Sequence, residues 1–178
     1  MSIDPIDALH GALRTVPDFP EPGVQFKDIS PILADPALLR TAVRALAAPY
    51  ADVGVTKVVG VESRGFLFGT PMADWLGAGF VLARKPGKLP AATLREDYAL
   101  EYGTDAVEIH ADALGPGDRV LIHDDVIATG GTAAATARLV ERVGAELVGF
   151  AFLIELTFLN GRNKLPDGMP VHIVLDVE

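Results

Sequence analysis

The sequence has 178 residues, of which 49% are hydrophobic and 22% are charged, and this balance predicts one globular domain with a substantial core. A formal net charge of −9 argues against general electrostatic binding to nucleic acid or to anionic lipid. The absence of cysteine excludes disulfides, thiolate nucleophiles and cysteine-based metal sites. Because we find neither a membrane-spanning apolar run nor a signal peptide, we expect a cytoplasmic protein.

The N-terminal part of the chain predicts two helices on either side of a proline-rich segment. An aspartate followed by a proline is a helix-start signal. Asp4-Pro5 lies at the start of one predicted helix, at residues 3–14, and Asp35-Pro36 precedes the other, at residues 37–48. Residues 16–23 contain three prolines and a glycine, which exclude a helix. Residues 24–29 alternate like a short edge strand. We interpret the proline-rich segment either as a rigid linker or as part of a lid.

Mostly apolar runs predict five buried strands, at residues 57–61, 80–83, 119–123, 147–156 and 171–175. Helical spacing of apolar residues predicts helices at 66–76 and 132–143. Residues 89–102 have no clear period and form either a hairpin or a mobile loop, with 107–109 as a possible returning strand. Alternating strands and helices predict a parallel sheet with helices on both faces. Ligands of such sheets bind at the carboxyl ends of the strands.

The strongest candidate site follows the third predicted strand, where residues 128–132 read ATGGT before a helix. Glycines let backbone N–H groups converge on one point, and a helix N-terminus adds positive potential, so this loop suits a phosphate. The alternative is an ordinary strand-to-helix turn with Thr132 as the N-cap. The sequence contains neither a GxxxxGK[ST] loop nor a GxGxxG fingerprint.

Two adjacent carboxylates, Asp124 and Asp125, precede this loop. Carboxylates beside a phosphate repel it unless they face hydroxyl groups or a cation. A sugar diol with Mg²⁺ nearby would satisfy both conditions, whereas the alternative is a solvated pair in a turn. His123 comes just before them, and we interpret it as a core histidine whose ring nitrogens are satisfied.

Positive charge follows two other predicted strands. Ser63, Arg64 and Gly65 come after the first strand, and residues 84–88 (RKPGK) form the densest cationic cluster. An arginine fork can grip an anion with two hydrogen bonds. The alternative for residues 84–88 is a solubilising surface loop. Two anion sites on either side of a diol-binding pair predict a ribose ligand with phosphate at one end and pyrophosphate at the other.

The segment VLIHDDVIATGGT (residues 120–132) resembles the phosphoribosyl-pyrophosphate (PRPP) binding motif of the type I phosphoribosyltransferases. Segments 18–33, 60–69, 84–90 and 98–103 are similar to the adenine-specific branch of that family. The resemblance extends from the first helix to residue 157. It implies an α/β fold with a five-stranded parallel sheet flanked by helices. It also implies a single domain over 1–178, with an N-terminal hood (1–33), a core (34–178) and a flexible catalytic loop (about 90–106).

The resemblance further implies a purine-salvage enzyme that makes AMP and pyrophosphate from adenine and PRPP with Mg²⁺, as a cytoplasmic homodimer. One alternative is a phosphoribosyltransferase for a 6-oxopurine such as xanthine or hypoxanthine. A second is a PRPP-sensing regulator without catalysis, which the acidic charge and the short N-terminal segment disfavour. No nucleic-acid or membrane partner is expected.

The resemblance also assigns residues to roles. The 5′-phosphate and ribose would be held by Asp124, Asp125, Ala128, Thr129, Gly130, Gly131 and Thr132. The pyrophosphate would be held by Ser63, Arg64, Lys85 and Lys88, and the adenine by Gln25, Phe26 and Lys27. Glu101, Tyr102 and Arg64 would be catalytic, and Mg²⁺ would bind through PRPP and water near the two aspartates. Three positions depart from the family pattern: Gln25 is often apolar, His123 is usually Val or Ile, and Glu62 can be Asp.

Overall fold

The structure is a computed structural model that describes residues 4–99 and 103–178. Within these ranges the helices are α1 (Pro5–Ala12), α2 (Ser30–Ala34), α3 (Pro36–Ala47), α4 (Gly65–Leu76) and α5 (Gly131–Arg142). The strands are β1 (Arg14–Pro17), β2 (Gln25–Asp28), β3 (Lys57–Val61), β4 (Gly79–Ala83), β5 (Thr93–Ala99), β6 (Thr104–His110), β7 (Arg119–Ile127), β8 (Glu146–Leu156) and β9 (Val171–Val177). No helix in these ranges is both long enough and apolar enough to cross a membrane.

The central sheet has five parallel strands in the order β4-β3-β7-β8-β9, which confirms the predicted fold class. The chain passes from β3 outward to β4, then returns across β3 to β7 and continues outward to β8 and β9. The direction of winding therefore changes between β3 and β7. In open α/β sheets this switch point opens a crevice at the carboxyl ends of the two strands. The loops that follow β3 and β7 carry the predicted anion-binding residues.

Two apolar layers cover the sheet. Leu121 of β7 packs in one buried cluster with residues of α1, α2, α3 and α4, whereas its neighbour Ile122 packs in another cluster with residues of α5 and the β5–β6 hairpin. This division follows from the alternation of side chains along a strand. Leu121 therefore faces the side of α4, and Val120 and Ile122 face the side of α5, whereas at the end of the strand Val126 packs with the first cluster and Ile127 with the second.

Capping explains where the helices begin. The carboxylate of Asp4 accepts a hydrogen bond from the Ile6 amide at 2.8 Å. The carboxylate of Asp35 accepts from the amides of Ala37 and Leu38 at 2.7 and 3.0 Å. Both predicted start signals are confirmed. The opening helix is shorter than predicted, since it ends at Ala12.

Three boundaries near the candidate site differ from the prediction. β7 does not end at His123, because Asp124 and Val126 continue the ladder with β8, and the two aspartates therefore lie on a strand and not in a loop. The residue that caps α5 is Gly130 in the left-handed conformation (φ 75°), so the interpretation of Thr132 as N-cap is wrong. For the described residues, the ambiguous segment after residue 89 forms the antiparallel β5–β6 hairpin.

Candidate functional site

The loop after β7 forms a pocket in front of the N-terminus of α5. The predicted phosphate-binding residues Ala128, Thr129, Gly130, Gly131 and Thr132 line this pocket together with Asp124, and its volume is about 90 Å³. Gly130 has a positive φ of 75°, which favours glycine because a side chain is strained there. Backbone amides at a helix N-terminus attract an anion, so the pocket suits a single phosphate group.

A glycine that the sequence analysis missed supports the back of this loop. Gly161 lies in a short 3-10 turn after β8, and a Cβ built on it would lie 2.2 Å from the carbonyl oxygen of Ala128. A Cβ on Gly130 would in turn lie 2.1 Å from the carbonyl oxygen of Gly161. The two glycines thus allow the loop and the turn to touch. The Asn160-Gly161 pair is a turn signal that the sequence displays, but it does not reveal which segment the turn contacts.

The carboxylates of Asp124 and Asp125 lie within hydrogen-bonding distance of each other. Asp124 lines the phosphate pocket, and its Oδ1 accepts a hydrogen bond from the Asp125 amide at 2.9 Å and lies beside Gly65 at the start of α4. Asp125 faces α4, is only 3% exposed, and has one carboxylate oxygen 3.0 Å from Nε of Arg64. Burial raises the pKa of Asp124 well above its ordinary value, the neighbouring charge of Asp125 adds to this, and Arg64 opposes it. Burial also raises the pKa of Asp125 against the opposing charge of Arg64. Hydroxyl donors or a cation would stabilise both carboxylates.

Arg64 connects the predicted subsites. It precedes the first residue of α4, and its guanidinium carbon lies 5.0 Å from the centre of the Phe26 ring. Phe26 in turn packs edge-to-face against Phe19 at 5.1 Å. One arginine therefore contacts both the predicted adenine-stacking residue and a predicted ribose-binding residue, Asp125. Ser63 is exposed beside it.

The side chains of Gln25 and Lys27 lie on the opposite face of β2 from Phe26, because side chains alternate along a strand. Nζ of Lys27 donates to Thr15 Oγ1 at 2.9 Å. Both residues line a mostly apolar cavity of about 560 Å³ between the hairpin and the ends of β8 and β9, which also contains Phe158. The structure thus places the β1–β2 hairpin beside the crevice but turns these two side chains away from the Phe26 ring.

The loop after β4 uses its cations in different ways. Nε of Arg84 donates to Glu62 at 2.6 Å, which ties this loop to the one after β3. Lys85 forms an ion pair with Asp105 and donates to the hydroxyl of Tyr98 at 3.0 Å. Burial works to lower the pKa of Lys85, but the hydrogen bonds to Asp105 and Tyr98 outweigh it and raise the pKa. Lys88 is exposed and has no ion pair with another described residue.

Glu101 and Tyr102, the predicted catalytic residues of the hairpin loop, lie outside the described residues. Their roles remain predictions.

His123 lies in the core, as predicted, but only one of its ring nitrogens is satisfied within the described residues. Nδ1 lies 2.8 Å from the carbonyl oxygen of Ala151, so this nitrogen carries the proton, while Nε2 is buried without a partner. Burial lowers the pKa of the imidazole to about 4, against the effect of the Ala151 carbonyl. Phe68 packs edge-to-face on the ring at 6.4 Å. The imidazole is therefore neutral at physiological pH.

No group of three or more His, Cys, Asp or Glu side chains that could hold a metal occurs among the described residues. Mg²⁺ is commonly bound by one or two carboxylates together with substrate phosphates and water. The adjacent carboxylates of Asp124 and Asp125 fit that form of binding and not an all-protein cage.

Comparisons with known proteins agree with this geometry. The family described as "Phosphoribosyl transferase domain" matches residues 29–176. An adenine phosphoribosyltransferase from a Synechococcus species is 59% identical over 168 residues, which cover 94% of this chain and 96% of that protein. The crystal structure of the Rhodothermus marinus enzyme of that name has a TM-score of 0.94 and 64% identity, and the match covers 97% and 98% of the two chains.

A further solved structure contains bound ligands. The adenine phosphoribosyltransferase of Saccharomyces cerevisiae, complexed with adenine and an imino-altritol bisphosphate, has a TM-score of 0.90 and 43% identity to this chain. The match covers 96% of this chain and 98% of the yeast chain.

Proposed function

The chain belongs to the adenine phosphoribosyltransferases of the type I phosphoribosyltransferase family, and from this premise we propose how its residues carry out the reaction. The protein is a purine-salvage enzyme that transfers the phosphoribosyl group of PRPP to adenine and forms AMP and pyrophosphate. The 6-oxopurine and regulator alternatives have no support from the relatives, which are named as adenine enzymes.

The observation that carries the residue assignment is the contact series Phe26–Arg64–Asp125 beside the phosphate pocket. It lies at the switch point between β3 and β7, where α/β sheets bind ligands. A nucleotide with its phosphate in the pocket and its ribose at the aspartates extends from there toward the Phe26 ring. Arg64, which contacts both Asp125 and Phe26, then lies near C1 of the ribose, where the bond to pyrophosphate breaks.

The first part of the mechanism is binding of the phosphoribosyl group. The amides and hydroxyls of residues 128–132 bind the 5′-phosphate, and the positive end of α5 stabilises its charge. The ribose hydroxyls donate to Asp124 and Asp125, which removes the repulsion that two neighbouring carboxylates otherwise feel. Asp124 and Asp125 would hold Mg²⁺ through water, and the ion would supply neutralisation of charge on the leaving group.

The second part is departure of pyrophosphate. The transition state has oxocarbenium character, as in glycoside hydrolysis, so positive charge grows on the sugar and negative charge on the leaving group. Arg64 offers a fork of donors to the pyrophosphate, while Ser63, Lys85 and Lys88 add further donors. Donors placed where charge develops stabilise the transition state more than the ground state. The negative charges of Asp124 and Asp125 are compatible with the positive charge that develops on the sugar.

The third part is attack by the base. Phe26 stacks on adenine, and the backbone at Gln25 and Lys27 reads its edge. Glu101 accepts or relays the proton that the base loses as the new bond to C1 of ribose forms, which in such systems contributes about 10²–10⁴ in rate. Tyr102 helps close the loop over the site, because water must be excluded to prevent hydrolysis of PRPP.

We also propose a cytoplasmic homodimer in which residues 1–178 form one domain, with residues 1–33 as the hood. Family resemblance supports each of these statements. For the dimer, a second support is the exposure of Leu67 and Trp75 on α4 and of Leu82 on the edge strand β4. Large exposed apolar side chains are common at interaction surfaces. Light scattering of the purified protein would measure the mass directly, and a monomer at assay concentration would contradict the dimer.

The test of the site assignment is AMP formation from adenine, PRPP and Mg²⁺, with hypoxanthine and xanthine as competing bases. We expect AMP from adenine and no turnover of the 6-oxopurines, because an amino donor and an oxo acceptor need opposite partners in the pocket. Asp125→Asn should lower activity strongly, whereas Asp112→Asn, the same change at an exposed turn residue, should not. Equal activity of the two variants would contradict the role of Asp125.

A further inference from the structure

Tyr98 lies at the junction of the two predicted phosphate sites without having been assigned a role. It is in β5, three positions before Glu101 in the sequence, and is only 7% exposed. Its hydroxyl accepts a hydrogen bond from Lys85 Nζ at 3.0 Å and from Thr132 Oγ1 at 2.9 Å. It lies 3.1 Å from a carboxylate oxygen of Asp105, to which it must donate. A tyrosine hydroxyl has one donor and two acceptor positions, so all three are occupied.

The ring of Tyr98 also contacts residues of both loops. Lys85 Nζ lies 5.5 Å from the ring centre. A Cβ on Gly131 would be 3.1 Å from Tyr98 Cδ2, so the glycine lets the phosphate loop pack directly on the ring. The tyrosine therefore contacts the loop for the 5′-phosphate through Gly131 and Thr132, and the loop for pyrophosphate through Lys85.

We propose that Tyr98 is a positioning residue that couples the pyrophosphate site to the 5′-phosphate site. Its hydroxyl joins Lys85, assigned to one end of PRPP, to Thr132, assigned to the other end. Asp105 competes with pyrophosphate for Lys85, because the ammonium forms its ion pair with that carboxylate in this structure. Without the Tyr98 hydroxyl, Asp105 is the remaining partner of Lys85 within the described part of the chain, and Thr132 loses its hydrogen bond to Tyr98.

This inference rests on the proposed assignment of Lys85 to pyrophosphate and of Thr132 to the 5′-phosphate. The two sites can be tested separately with two ligands. AMP carries the 5′-phosphate without pyrophosphate, and magnesium pyrophosphate carries no ribose. For Tyr98→Phe we expect about tenfold weaker binding of PRPP, equivalent to about 1.4 kcal/mol, measured by calorimetry without adenine. Both AMP and magnesium pyrophosphate should also bind more weakly.

The matched control is Tyr50→Phe. Tyr50 is buried, and its hydroxyl donates to the carbonyl oxygen of Phe150 at 2.6 Å, near the amino-terminal end of β8 and far from the crevice. It reports the general effect of deleting a buried tyrosine hydroxyl. We expect both variants to lower the melting temperature, and only Tyr98→Phe to weaken ligand binding. Loss of stability without a change in binding would show a purely structural role for Tyr98 and overturn the proposal.

A second variant, Asp105→Asn, should change the affinity for magnesium pyrophosphate in the opposite direction. In Asp105→Asn the charge that holds Lys85 is absent, and the single amide oxygen can accept from either the Tyr98 hydroxyl or the Ala106 amide. We expect magnesium pyrophosphate to bind at least about threefold more tightly, with AMP affinity unchanged. Weaker or unchanged pyrophosphate binding would contradict competition by Asp105.

The final arm separates failure of the inference from failure of the site assignment. Lys85→Ala should weaken pyrophosphate binding. The double variant, Lys85→Ala with Tyr98→Phe, should lose less PRPP binding free energy than the sum of the losses in the two single variants, because mutations of residues in one network are not additive. Unchanged pyrophosphate affinity in Lys85→Ala would overturn the assignment and the inference together. If that variant loses affinity while Tyr98→Phe retains it, only the inference fails.

Discussion

Replacement of Gly161 by alanine tests whether the turn after β8 shapes the phosphate loop. The φ angle of Gly161 is not positive, so an alanine causes no backbone strain and acts only through its volume. Its Cβ would lie 2.2 Å from the carbonyl oxygen of Ala128 and 3.0 Å from the amide nitrogen of Gly130. A non-bonded carbon essentially never lies closer to these atoms than about 3.0 Å. The turn and the loop must therefore separate by about 0.8 Å at Ala128.

A displacement of about 1 Å at a catalytic site can cost about 10²-fold in rate, so we expect Gly161→Ala to lower kcat/KM for PRPP about 10- to 100-fold. Overpacking should also cost about 1–3 kcal/mol of stability. The assays are initial rates of AMP formation and the affinity for AMP. Gly115→Ala is the control, because its Cβ would meet no atom within 4 Å and its φ is not positive. Equal activity of the two variants would refute the idea that Gly161 supports the loop.

Three other predictions concern His123, Glu101 and Arg64. The pKa of His123 is lowered from 6.5 to about 4, so the unfolded chain binds more protons. The stability of the wild type relative to His123→Leu should then fall by about 3 kcal/mol between pH 7.5 and pH 4; a constant difference in urea unfolding would contradict this. Glu101→Ala should lower kcat by about 10²–10⁴ and leave PRPP affinity within about threefold, and normal turnover would remove Glu101 from catalysis. Arg64→Lys keeps the charge but loses the donor fork, so pyrophosphate should bind about tenfold more weakly in calorimetry; equal affinity would show that charge alone suffices.

The pattern of strands and helices was predicted well because its signals are local. The apolar runs gave the five strands of the parallel sheet, and the Asp-Pro pairs gave the starts of α1 and α3. The end of β7 was predicted wrongly, because two aspartates read as loop residues. Pairing with β8 keeps them in the sheet, and such pairing leaves no mark in the sequence of β7 itself.

In the candidate site too, local features were predicted and contacts between distant residues were not. The sequence names the residues of the phosphate loop, and the structure brings them into one pocket. The sequence does not indicate that Asp125 is buried against Arg64, since that contact joins residues far apart in the chain. The support from Gly161 was missed for a related reason: a glycine at a turn is common, and its contact lies more than thirty positions away in the chain.

The sequence alone determined that a strand, a glycine loop and a helix at residues 119–143 would hold an anion, because each of these elements depends on neighbouring residues. Only the tertiary structure decided what surrounds that anion. The order of strands places β3 beside β7, which brings Arg64 to Asp125, and the β5–β6 hairpin brings Tyr98 to Thr132. These contacts join residues distant in the chain. Their partners are set by the packing of the whole sheet and not by local periodicity.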